Sequence, residues 1–126
     1  MEQGKLPLSV LYVEDDSITR MEVSRYLQNR VDKLFVATNG EEGLKTYTQN
    51  PTDVVLTDIR MPIMDGLSML RAIKTIKPPK AVIVTTAYNE TDLLIECIDV
   101  GVNKFLLKPL VLHKLDEVLE NIHKGE

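Results

Sequence analysis

Five short apolar runs, separated by amphipathic stretches of helical length, constrain the possible folds of this chain more than any other feature. The runs are LSVLYV (8–13), LFVA (34–37), DVVLT (53–57), AVIVTT (81–86) and NKFLLK (103–108). They are rich in Val, Ile and Leu and lack strict polar alternation, as strands covered on both faces do. The last intervening stretch is the clearest helix. Its Val111, Leu115, Val118, Leu119 and Ile122 form one stripe, with Lys114, Glu117, Glu120 and Asn121 elsewhere. Gly40-Glu41-Glu42 and Asp65-Gly66 read as helix starts, and Gly101 reads as a helix stop. A helix after each strand predicts an α/β fold, a (βα)5 chain making a doubly wound, five-stranded parallel sheet with right-handed crossovers.

Composition narrows the function classes. The 126 residues suit one domain (1–126, with a core of about 6–124), and 44% hydrophobic with 27% charged residues is ordinary for a globular protein. Cys97 is the only cysteine, which rules out an intrachain disulfide and favours a reducing compartment. It shares a helix face with Leu93 and Leu94, so it reads as a small core hydrophobe. A net charge of −4 argues against direct nucleic-acid binding, which needs clustered Lys and Arg. No apolar run approaches the roughly 20 residues of a membrane span, and the start MEQGKLPLSV lacks a signal peptide's apolar stretch. The expectation is a cytoplasmic domain without membrane contact. His113 and His123 are too far apart to share one helical turn, and no glycine pattern suggests a nucleotide cradle.

In an open parallel sheet, chemistry gathers beyond the carboxyl ends of the strands. Glu14, Asp15 and Asp16 follow the first strand, and Asp58 follows the third in VVLTDIRMPIMDG. The fourth ends in Thr85-Thr86 and the fifth in Lys108-Pro109, whereas the second ends in a plain Thr38-Asn39-Gly40. Carboxylates, hydroxyl and amine therefore converge on one edge. Gathered carboxylates repel one another and call for a cation, and oxygen ligands with room for water and phosphate suit Mg²⁺ better than zinc. A carboxylate can attack phosphorus to give an aspartyl phosphate, with metal and ammonium offsetting charge on the transferring oxygens. Other acids have plainer readings: Asp53 sits at the amino end of its strand, and Asp65 caps a helix. Asp16 begins the first helix, although it adjoins the acidic pair and could serve in place of Glu14 toward a cation. An isolated Lys108 would read as a snorkelling surface lysine.

Glu14-Asp15, Asp58 within TDIRMPIMDG, Thr86-Ala87 and Lys108-Pro109, in this order at the ends of these elements, resemble the receiver domains of bacterial two-component response regulators. The resemblance covers about residues 6–124 and implies a flavodoxin-like sheet of order 2-1-3-4-5. It implies that Asp58 accepts a phosphoryl group from a sensor histidine kinase or a histidine phosphotransfer protein. Asp15 and Asp58 would bind Mg²⁺, or Mn²⁺ as a substitute, with Glu14 acting through water and the Arg60 backbone carbonyl as a further ligand. Thr86 and Lys108 would hold phosphoryl oxygens, leaving Thr85 as a core residue, and the Lys108-Pro109 bond would be cis. Phe105 matches the family's switch aromatic, rotating inward as Thr86 moves. The changed surface would be helix four (about 90–100), strand five and helix five, which would contact an effector domain or protein or form a homodimer.

The resemblance also implies that Arg60 and Tyr88, two residues beyond Asp58 and Thr86, occupy family-variable positions flanking the phosphoryl group, and both are bulky enough to screen water. Leu110 replaces the Phe often found after Lys-Pro, with only a packing consequence expected. On the first helix, Val23, Tyr26 and Leu27 face the core with Thr19, while Ile18, Met21 and Arg25 fall opposite as a docking ridge for the phosphodonor. Two rivals remain. A haloacid-dehalogenase-type phosphatase also uses an Asp nucleophile, but it wants a second Asp where this chain has Arg60. A receiver-like interaction module would take no phosphate, yet none of the expected site residues is missing.

Overall fold

The computed structural model describes residues 4–87 and 91–125. Its elements run β1 (Leu6–Val13), α1 (Ser17–Arg30), β2 (Val31–Ala37), α2 (Gly40–Gln49), β3 (Val54–Asp58) and α3 (Gly66–Ile76). They continue with β4 (Ala81–Thr86), a 3₁₀ turn (Thr91–Leu93), α4 (Leu94–Val100), β5 (Lys104–Leu107) and α5 (Leu112–Lys124). The five strands pair in parallel in the order β2-β1-β3-β4-β5, as expected.

The sheet separates two apolar layers. Leu8, Val10 and Tyr12 of β1 join Val23 and Leu27 of α1 and Leu115, Val118, Leu119 and Ile122 of α5. Leu11 and Val13, on the other face of the same strand, join Tyr47 of α2, Leu70 and Ile73 of α3, and Cys97 of α4. This is the two-residue period of a strand buried on both sides. Every residue of β3 and β4 is buried, while edge strands β2 and β5 include exposed positions.

Local signals place the helices. Asp16 accepts from Thr19 N–H, Asn39 from Glu42 N–H, and Asp65 from Ser68 N–H, each satisfying a free donor of a first turn. Glu42 reaches back to Thr38 N–H, completing a reciprocal cap. Gly101 ends α4 at φ 86°, a left-handed conformation that glycine adopts without a Cβ penalty.

Several expectations need correction. β1 begins at Leu6, and β2 begins at Val31 directly after α1, because Val31 N–H still bonds Leu27 O while pairing with Leu6. Asp53 lies outside β3. Its carboxylate instead accepts from Ser9 N–H and Oγ, fastening β1 to the approach of β3. β5 is shorter than 103–108, since Asn103 Oδ1 accepts from Val82 N–H and Lys108 has already left the strand. Helix four is a 3₁₀ turn followed by a short α4 without a side-chain cap. Val111 does not join the buried stripe; it is the 42%-exposed N-cap of α5.

Candidate functional site

Each strand delivers one part of the site to the carboxyl edge. Asp58 is the last residue of β3 and only 5% exposed, and its Oδ1 accepts from Ile59 N–H at 2.7 Å. Its other oxygen, Oδ2, receives the ammonium of Lys108. The same ammonium lies 3.6 Å from Glu14 Oε1. Glu14, just beyond β1 and 2% exposed, donates its backbone N–H to Ala37 O and accepts Asp16 N–H on Oε2. Asp15 is exposed at the mouth. Carboxylate oxygens of Glu14, Asp15 and Asp58 all lie within 4.8 Å of one another.

Thr86 ends β4, buried, with its hydroxyl donating to Ala87 O at 3.2 Å. Lys108 N–H donates to Thr86 O at 2.9 Å, tying the hydroxyl-bearing strand to the amine-bearing loop. Thr85 is buried beside β3, as expected of a core residue. The Lys108-Pro109 bond is cis. Leu110 packs against the α1–α5 layer, so its replacement of Phe is a matter of packing.

The loop after Asp58 is tightly held. Gly66 N–H bonds Ile59 O at 2.7 Å, and a Cβ on Gly66 would collide with the carbonyl oxygen of Asp58. The Asp65-Gly66 pair therefore does two jobs: Asp65 caps α3, and Gly66 lets that helix approach Asp58 closely. Gly40 N–H bonds Met64 O, anchoring the same loop to α2. Arg60 is exposed on the segment leaving Asp58. Tyr88, the other expected flanking residue, lies outside the described residues.

Electrostatics follow the geometry. Burial pushes the Glu14 carboxyl up, partly offset by Asp16 N–H and Lys108. Burial alone would lower Lys108, but its hydrogen bond to Asp58 and the charges of Asp58, Glu14 and Asp15 outweigh it, so the group remains an ammonium. Burial, then Glu14 and Asp58, raise the Tyr12 phenol, which stays neutral beneath the cluster. One ammonium thus faces three carboxylates made only of hard oxygen donors, one of them open to solvent. That donor set fits a divalent cation of the Mg²⁺ class, which keeps waters and takes few protein ligands.

The remaining expected residues occupy two surfaces. Ile18 (65% exposed), Met21 (55%) and Arg25 stand on the outer face of α1, while Val23 and Leu27 are buried. Phe105 is half-buried on β5, against the α2–α3–α4 layer. Arg20, which no sequence pattern marks, donates from Nη1 to the carbonyls of Glu14 and Asp15. Its partners are backbone atoms, which leave no mark in a residue pattern.

Comparison with known proteins places this arrangement. The family model described as "Response regulator receiver domain" matches residues 10–120. A cyclic di-GMP phosphodiesterase of Thermotoga maritima is 36% identical over 86% of this chain, which spans only 29% of that protein. The chemotaxis protein CheY of Bacillus subtilis is 33% identical over 91% of this chain and 94% of its own length. Among solved structures, the N-terminal domain of an uncharacterized protein from Wolinella succinogenes superposes with a TM-score of 0.88 at 38% identity. That match covers 93% of this chain and 94% of the other.

Proposed function

This chain belongs to the response regulator receiver domain family of two-component systems, and we propose that Asp58 is its phosphoacceptor. The observation that carries the reading is the placement of Asp58 against Lys108 within a three-carboxylate cluster at the carboxyl edge of the sheet.

Asp58 Oδ attacks the phosphorus of a phosphohistidine. The O–P bond forms as the N–P bond breaks, and the imidazole leaves with the electron pair and takes up a proton. Lys108 exchanges part of its contact with Asp58 for an oxygen of the incoming phosphoryl group, and the Thr86 hydroxyl turns from Ala87 O to another. Asp15, Asp58, Glu14 (through water) and the Arg60 carbonyl are the groups that would hold Mg²⁺ or Mn²⁺. When bound, the ion offsets negative charge on the transferring oxygens. Arg60 and Tyr88, two residues beyond Asp58 and Thr86 in the sequence, are bulky enough to slow hydrolysis of the product. The chain, read as a single receiver domain, catalyses only its own phosphorylation and dephosphorylation.

Thr86 and Phe105 act as the switch. Movement of Thr86 toward the new charge opens space at the end of β4 that Phe105 fills, altering the surface of α4, β5 and α5. The exposed apolar side chains Ile95, Ile98, Leu107 and Leu112 on those elements support an effector contact or a homodimer there. The donor is a cytoplasmic histidine kinase or phosphotransfer protein that covers Ile18, Met21 and Arg25. Among the described residues no helix is long and apolar enough to cross a membrane. Incubation with acetyl phosphate and Mg²⁺ should give one alkali- and hydroxylamine-labile phosphoryl group per chain, abolished by chelation. Stable absence of label would refute the reading. Replacing both Ile18 and Met21 by Ala should slow transfer from the cognate donor while leaving acetyl phosphate effective; equal slowing of both would refute the docking assignment.

A further inference from the structure

The turn between β1 and α1 carries two of the three clustered carboxylates, Glu14 and Asp15. A side chain from the first turn of α1 closes over it. Arg20 Nη1 donates to Glu14 O at 2.9 Å and to Asp15 O at 3.2 Å, so one guanidinium nitrogen spans two successive peptide carbonyls. We propose that Arg20 is a positioning residue for the divalent-cation site, fixing the backbone of Glu14 and Asp15 so that their carboxylates converge with that of Asp58. The inference rests on the phosphoacceptor reading above.

Glu14 has restraints of its own, because its carboxylate accepts Asp16 N–H and lies beside Lys108. Asp15 is exposed, so beyond its side-chain contact with Glu14 the direction of its carboxylate depends on how its peptide is held. Asp16 is occupied in capping α1 through Thr19 and restrains the helix end of the turn. Arg20 grips the strand end, which carries the acids themselves. A guanidinium suits the task, because the two hydrogens of Nη1 are fixed in the plane of the group and can serve one carbonyl each.

Charge and position make opposite demands, which separates the two roles. A guanidinium beside an acidic cluster opposes a second cation, so removing its charge should tighten Mg²⁺ binding if charge were its main effect. Removing a positioning group should weaken binding.

The test is titration of Mg²⁺ alone into the full chain, without phosphodonor, followed by calorimetry. The melting temperature of each metal-free protein checks its folding. Arg20→Gln should bind Mg²⁺ about tenfold more weakly, the usual cost of losing a group that orients metal ligands. Arg20→Lys, which keeps the charge but neither the reach nor the planar N–H pair of Nη1, should recover part of the loss. Equal or tighter binding by folded Arg20→Gln would overturn the proposal. If Arg20→Gln does not fold, Arg20→Lys decides: weaker binding supports the role, and native affinity overturns it. A native chain that binds no Mg²⁺ overturns the phosphoacceptor reading itself, and this inference with it.

Discussion

Between α1 and α5, Arg30 is surrounded by partners. Its Nε donates to Asp116 at 2.8 Å, Nη2 to Glu120 at 2.9 Å, and Nη1 to Gly4 O at 2.6 Å. Asp116 also receives the Tyr26 hydroxyl. At the carboxyl edge of the sheet, one ammonium instead serves Asp58 and Glu14, with Asp15 alongside. Both are ionic clusters that bring together distant parts of the chain. The first distributes one guanidinium over defined acceptors and fastens two helices to one another. The second gathers three carboxylates around one ammonium, with the Arg20 guanidinium on the adjoining backbone, at an edge open to solvent. An acid cluster that the fold leaves under-neutralised is one that a metal and a phosphoryl group can complete.

The largest expected effect separates the clusters outright. Asp58→Asn should abolish phosphorylation by acetyl phosphate while leaving the melting temperature unchanged or higher, because it removes a charge from a repulsive group. A large fall in melting temperature would make the edge cluster structural, like that of Arg30.

Arg30→Ala should do the reverse. Its loss leaves Asp116 with only the Tyr26 hydroxyl and Glu120 without its guanidinium, and should cost about 3 kcal/mol in urea unfolding, toward the low end for a broken buried pair because Glu120 is partly exposed. Phosphorylation by acetyl phosphate at saturating Mg²⁺ should persist. Its loss in a protein that remains folded would couple the clusters and break the comparison.

Acid titration gives a smaller effect, of opposite sign at the two sites. Burial pushes Glu14 above its ordinary value of 4.5, so its ionisation opposes folding. That cost is present above the raised folded value and fades as pH falls through it toward 4.5. At Asp116, burial acts upward, but hydrogen bonds from Arg30 and Tyr26 prevail and hold the group below 3.8. Its contribution is present above 3.8 and is lost as pH falls through the depressed value. At neutral pH, Glu14→Gln should therefore melt above the wild type and Asp116→Asn below it. The Glu14→Gln gap should close on the way down to 4.5, whereas the Asp116→Asn gap should close only below 3.8. Melting temperatures of the three proteins across pH check this.

What could be read beforehand follows from the same contrast. Asp58, Thr86 and Lys108 were legible because a parallel sheet sends strand ends to one edge, and strand ends are visible as the close of apolar runs. The Arg30 cluster was not, since its partners lie at Asp116 and Glu120, far along the chain, and only the α1–α5 packing joins them. The start of β2 was hidden because edge residues Asp32 and Lys33 interrupt the apolar run. The roles of Arg20 and Gly66 lie in contacts with backbone oxygens, which side-chain patterns do not record.

The central claim is that Asp58, among the clustered carboxylates, becomes the acyl phosphate. Borohydride reduction of the phosphorylated chain converts an aspartyl phosphate to homoserine, and peptide mass mapping locates the change. The account predicts homoserine at position 58 alone, dependent on both acetyl phosphate and Mg²⁺. Reduction at Glu14 or Asp15, or an unchanged Asp58 in a chain that carries phosphate, would contradict it.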